Sequence, residues 1–148
     1  MGVGYSEPVT QWSKGEYATA SRSNEDDVAI ITQSAPYIPD DHGDTPSTAT
    51  PVGSGITVRG LISRAADVDV FKFDANPGAL LVSVQLVPNS PVGSGISCRA
   101  NLDVLLQLMG PSETVLAISD STTTDSITCP NMPASLSYQV GAFGTYYV

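Results

Sequence analysis

From Pro51 onward, apolar and polar residues alternate with a period of two, the spacing that puts successive side chains on opposite faces of a strand. Ile56 to Ile62 reads as a first strand, and Asp67-Val68-Asp69-Val70-Phe71-Lys72-Phe73 as a second, with Phe71 and Phe73 on one face. Asn76-Pro77-Gly78 makes a turn. Leu80, Val82, Val84 and Leu86 then alternate with Ala79, Leu81, Ser83, Gln85 and Val87, the pattern of a half-buried strand. After a loop through Pro88 to Gly95, Leu102, Val104, Leu106 and Leu108 alternate with Asp103 and Gln107 until Gly110-Pro111 stops the run. Thr114 to Ser119, Ser126 to Cys129, Ser135 to Val140 and the closing Gly144 to Val148 complete the series. Short strands joined by Gly, Pro and Asp turns predict a mostly β chain, folded as an antiparallel, jelly-roll-like β-sandwich. Val148 falls inside an apolar run, so the last strand is expected to be cut short and the sheet to lack an edge.

The pattern before Pro51 is different. Gly2, Gly4, Pro8 and Gly15 break the first stretch into turns. Ser23-Asn24-Glu25-Asp26-Asp27 then precedes Val28-Ala29-Ile30-Ile31, where Asn24 or Ser23 can cap free amides and the acids complement the helix dipole. A short helix from about Glu25 to Gln33 follows from that arrangement. Pro36, Pro39, Pro46 and Pro51, with Asp40-Asp41-His42-Gly43-Asp44 among them, read as a stiff, wet, irregular arm. The expected organisation is a segment 1–37 of turns plus one helix, a Pro/Asp-rich linker 38–52, and a β-sandwich 53–148. Pro51-Val52-Gly53-Ser54-Gly55-Ile56 recurs as Pro91-Val92-Gly93-Ser94-Gly95-Ile96, but the flanks share only Arg59 and Arg99, so both copies read as loops feeding strands.

Composition narrows the class. Charged residues make up only 14% of the 148, with Ser, Thr, Gly and Pro filling the difference, which suits an extracellular β module. Fifteen acids against six bases give a formal charge of −9, a surface that repels phosphate backbones and argues against nucleic acid as a partner. The sequence has no apolar stretch long enough for a membrane-spanning helix. It opens without a basic, then apolar, export segment, so for a secreted protein that signal is expected upstream of Met1. Cys98 and Cys129 each adjoin a β-like segment. In an oxidising compartment they are expected to pair, closing a loop of about thirty residues worth roughly 3–4 kcal/mol by chain entropy; two buried thiols are the alternative.

The chemistry-bearing residues are few. A zinc peptidase needs two histidines four apart on a helix with a Glu between them, and a third ligand. The chain has one histidine, His42, on the Pro/Asp arm, so neither that site nor a Ser–His or Cys–His nucleophile can be assembled. Gly53-Ser54-Gly55 lacks the Lys-Ser/Thr ending of a phosphate loop. No catalytic residue is assigned. Asp40, Asp41 and Asp44 on the arm, with Asp67 and Asp69 at a strand start, could supply the oxygens that calcium requires, or serve only as a solvated acidic face. His42 among these acids reads as a solvated linker histidine rather than a ligand. Trp12, Tyr146 and Tyr147 offer either core and edge packing or a carbohydrate- or protein-binding face.

Asp41-His42-Gly43-Asp44-Thr45, Asp67 to Phe73, Pro77-Gly78, Asn101-Leu102-Asp103-Val104, Val115-Leu116-Ala117 and Gly144-Thr145-Tyr146-Tyr147-Val148 occur in one order. In these motifs the segment from Asp40 to Val148 resembles the bacterial pre-peptidase C-terminal domain, a β-sandwich that follows secreted peptidases. The cysteine pair departs from that pattern. Upstream, Met1-Gly2-Val3-Gly4-Tyr5, Gln11-Trp12-Ser13-Lys14-Gly15-Glu16-Tyr17 and Asn24-Glu25-Asp26-Asp27 are similar to the end of a metzincin-type zinc peptidase domain, with Met1 at the position of the Met-turn. The resemblance implies an extracellular, non-catalytic accessory module that assists secretion, folding or substrate engagement, with zinc held only in a preceding catalytic domain. It leaves two alternatives: the tail of an active zinc metallopeptidase, which an in-frame His-Glu-x-x-His segment upstream would support, and a stand-alone adhesion or matrix-binding module for extracellular protein or polysaccharide.

Overall fold

The computed structural model of the chain describes residues 14–16, 18–85, 102–120 and 134–148. They belong to two compact units that divide between Ile38 and Pro39. In the first, the one described helix, α1 (Asp27–Ile31), is capped by Asp26, whose Oδ1 accepts from the Ala29 amide at 2.9 Å. It starts later than Glu25 because that residue's backbone is already engaged: the Glu25 carbonyl accepts from Gly15, and Asp26 pairs with Lys14 in an isolated antiparallel bridge. Asp26 is therefore extended, and helical geometry begins only after it. At the other end the Thr32 hydroxyl donates to the Val28 carbonyl, and Pro36 bars continuation.

The second unit is mostly β. Its strands are β1 (Thr50–Pro51), β2 (Phe71–Ala75), β3 (Gly78–Val84), β4 (Leu105–Met109), β5 (Val115–Asp120), β6 (Ala134–Val140) and β7 (Gly144–Tyr147). Among the described residues they form one sheet in the order β1-β2-β7-β4-β5 and a second of β3 and β6. The alternation read from the sequence sets which side chains turn inward. Leu80, Val82 and Val84 of β3 are half-buried while Ala79, Leu81 and Ser83 face out. Leu106 and Leu108 of β4, Ala134, Leu136 and Val140 of β6 and Tyr146 of β7 make one buried cluster, so both sheets share a core. Leu108 is fully buried, and Tyr146 settles its hydroxyl by donating to the Ala142 carbonyl at 3.0 Å.

Several expectations change. The sheet is not antiparallel throughout: Thr50 and Pro51 run parallel to Phe71 and Lys72. The segment 38–52, read as a linker, packs within the second unit from Pro39 on, with Ala49 buried and the Val52 amide bonded to the Lys72 carbonyl. Ile56 to Ile62 is not a strand, and its apolar side chains are exposed. β2 begins at Phe71 rather than Asp67, because the preceding amides of Val68 and Val70 are taken by the arm, at Asp44 Oδ1 and the Gly43 carbonyl. The closing strand β7 pairs with β2 on one side and β4 on the other. The strand expected at Ser126 to Cys129, the Pro91 to Ile96 repeat copy, Cys98 and Cys129, and Met1 and Trp12 lie outside the described residues. No described helix is long and apolar enough to cross a membrane.

Candidate metal centre

The five aspartates singled out from the sequence come from two segments 23 or more residues apart, and the fold brings those segments together. The arm is shaped by a tight turn in which the Thr48 amide donates to the Thr45 carbonyl at 3.0 Å and the Thr45 amide donates to Thr48 Oγ1 at 3.2 Å. Thr48 fills the space beside Gly43, where any Cβ would overlap its backbone. That close approach puts the Gly43 carbonyl within 3.0 Å of the Val70 amide and ties the arm to the lead-in of β2.

Four carboxylates are then held by backbone amides. Asp40 Oδ1 accepts from His42, Asp41 Oδ1 from Leu61, Asp44 Oδ1 from Val68 and Asp67 Oδ2 from Ser63, at 3.1, 3.2, 3.2 and 2.6 Å. Each bond fixes one oxygen and turns the other, the way outer-shell donors orient metal ligands. The groups converge in two adjacent triads, Asp40, Asp44 and Asp67, and Asp41, His42 and Asp69, with the ligand-type atoms of each triad within 4.8 Å of one another.

Two oxygens in this cluster stand out. Asp67 is only 5% exposed, the one buried charged residue among those described, and its Oδ1 has no hydrogen-bond partner. Asp69 Oδ1 is buried and unpartnered too. A buried acceptor without a donor is costly unless something compensates it. The two acids respond differently to their surroundings. The Ser63 backbone amide holds the Asp67 carboxyl below its ordinary range, whereas burial, followed by the charge of Asp41, pushes Asp69 up. Repulsion among these acids, offset in part at Asp67 by the charge of Arg64, is what a bound cation would relieve.

His42 is not solvated: its side chain is 13% exposed. Nε2 lies 2.8 Å from the Arg59 carbonyl, which can only accept, so Nε2 carries a proton, while Nδ1 shares a hydrogen bond with the Thr50 hydroxyl at 3.0 Å. The ring packs edge-on against Phe71, with centroids 4.6 Å apart. His42 thus pins the exposed segment 56–62 and β1 to the arm. Sequence reasoning missed this role because the partners, Thr50 and the Arg59 carbonyl, carry no signal in spacing. It missed Gly60 as well, whose backbone lies directly against the Asp69 carboxylate. Of the aromatic candidates, Tyr146 is core and Tyr147 is half-buried beside it. Comparison with models of known protein families, with curated proteins and with solved structures gives no match to this chain.

Chemically, the unengaged ligand atoms are carboxylate oxygens, the donors that calcium prefers and that softer ions do not require. Both nitrogens of the one imidazole are already used inside the protein.

Proposed function

We propose that this chain is a non-catalytic, calcium-organised accessory module: a jelly-roll-like β-sandwich of the kind that follows secreted peptidases and assists their secretion, folding or substrate engagement. The observation that carries the calcium part is Asp67, a nearly fully buried carboxylate with an orphan oxygen, grouped with Asp40 and Asp44. In this reading Asp40, Asp44 and Asp67 are the principal ligands, Asp41 and Asp69 adjoin them, and water and backbone carbonyls complete the six to eight oxygens that calcium takes. The cation supplies charge neutralisation and a cross-link between the arm and the lead-in of β2, with no part in bond-breaking. The sandwich arrangement is favoured by the core that the two sheets share. The accessory role rests on the ordered motifs from Asp41 to Val148 and on the lack of any second histidine.

Melting temperature in millimolar calcium against excess chelator tests the cation reading. Calcium should raise it, and no change would sink the reading. Incubation of the purified chain with casein, with zinc supplied, tests the non-catalytic part; reproducible cleavage free of contaminating protease would sink that.

A further inference from the structure

Gly60 lies on the segment between β1 and β2, has no functional group, and is not a ligand in the reading above, on which this inference rests. A Cβ built on it would overlap Asp69 Oδ2, with Asp69 Cγ at 3.1 Å and His42 Cδ2 at 3.3 Å as the next neighbours. The obstacle is the end of a side chain and an imidazole edge, not a wall of backbone. The Gly60 backbone stays close because the residues on either side are anchored: the Arg59 carbonyl by His42 Nε2, and the Leu61 amide by Asp41 Oδ1. An alanine there has one inexpensive escape, which is to rotate the Asp69 carboxylate away from the cluster.

We propose that Gly60 is a positioning residue of the cation site: by carrying no side chain it leaves the Asp69 carboxylate aimed at the other aspartates, while His42 holds the loop that carries Gly60 in place. Substitution of Gly60 then weakens cation binding through Asp69, with little effect on the shared core of the two sheets.

The test is calorimetric titration of calcium into the full chain and into the Gly60→Ala, Asp69→Ala and double variants, each also melted in excess chelator. Gly60→Ala should weaken binding about 10-fold or more, the range for groups that orient metal ligands. The double variant should bind no more weakly than Asp69→Ala alone, since the alanine has no carboxylate left to displace. If Gly60→Ala itself melts low in chelator, removing Asp69 should restore it, which a clash with any other group would not allow. Wild-type affinity in Gly60→Ala, or losses that multiply in the double variant, would overturn the inference and leave the calcium reading standing. Wild-type protein that takes up no calcium would overturn both.

Discussion

The two halves of the β unit are held by opposite physics. The core between the sheets is built from side chains that water rejects: Leu106 and Leu108 against Leu136, Val140 and Tyr146. It calls for no ion, because hydrophobic packing is satisfied by apolar side chains alone. The acidic clasp from Asp40 to Val70 is built from side chains that water prefers. Its carboxylates hold the amides of Leu61, Ser63 and Val68, yet they repel one another and leave two oxygens buried without donors. The first region is stable because of what it excludes, whereas in the proposed reading the second gains stability from the cation that enters it.

That contrast predicts a ranking of effects. The largest belongs to the core: Leu108→Ala should cost about 2–5 kcal/mol in denaturant unfolding, from lost transfer energy and the cavity left behind. The loss should be the same with calcium or with chelator, because the core cluster that holds Leu108 includes no residue of the clasp. Next comes Asp67→Asn, which should abolish the calcium-dependent rise in melting temperature. For the wild type that rise corresponds to about 2.7 kcal/mol when free calcium is 100 times its dissociation constant. A variant that kept the full rise would move the site elsewhere.

A smaller effect follows from pH, measured in chelator. The carboxyl of Asp69 is raised in the folded chain, so folding takes up a proton there, and stability falls as pH climbs through that raised value. Asp67, held low, acts in the opposite direction: its contribution is full above the ordinary carboxylate range and is lost as pH falls through its lowered value. Asp69→Asn should therefore gain on wild type as pH rises just above the ordinary carboxylate range, and the difference should shrink in acid. Unfolding curves at a series of pH values check the sign. The smallest effect is expected at α1, outside both regions. Asp26→Ala removes the cap of a five-residue helix and should cost about 1 kcal/mol or less, read as faster amide exchange at Ala29 with the core unaffected.

The same contrast explains what the sequence could and could not say. Period-two alternation reports which face a residue takes, so the inward positions of β3 and β4 were readable at Leu80, Val82, Leu106 and Leu108. Alternation does not report a strand's partner. Ile56 to Ile62 has the pattern but not the pairing, and carboxylates engage the Leu61 and Ser63 amides at its end. The short parallel strand Thr50–Pro51 was invisible for the converse reason: a two-residue element containing a proline has pairing without pattern. The acids of the clasp were legible as a composition feature. Their convergence was not, because it depends on Gly43, Thr48 and His42 folding the arm back, contacts between residues that no periodicity links.

The most direct test of the account is amide exchange, resolved by residue, with and without calcium. Leu61, Ser63 and Val68 donate to the carboxylates, whereas β4 and β6 are paired along their lengths with β5 and β3. The account predicts that calcium slows exchange at the first three far more than at the strands. Equal rates at Leu61, Ser63 and Val68 in both conditions would contradict it.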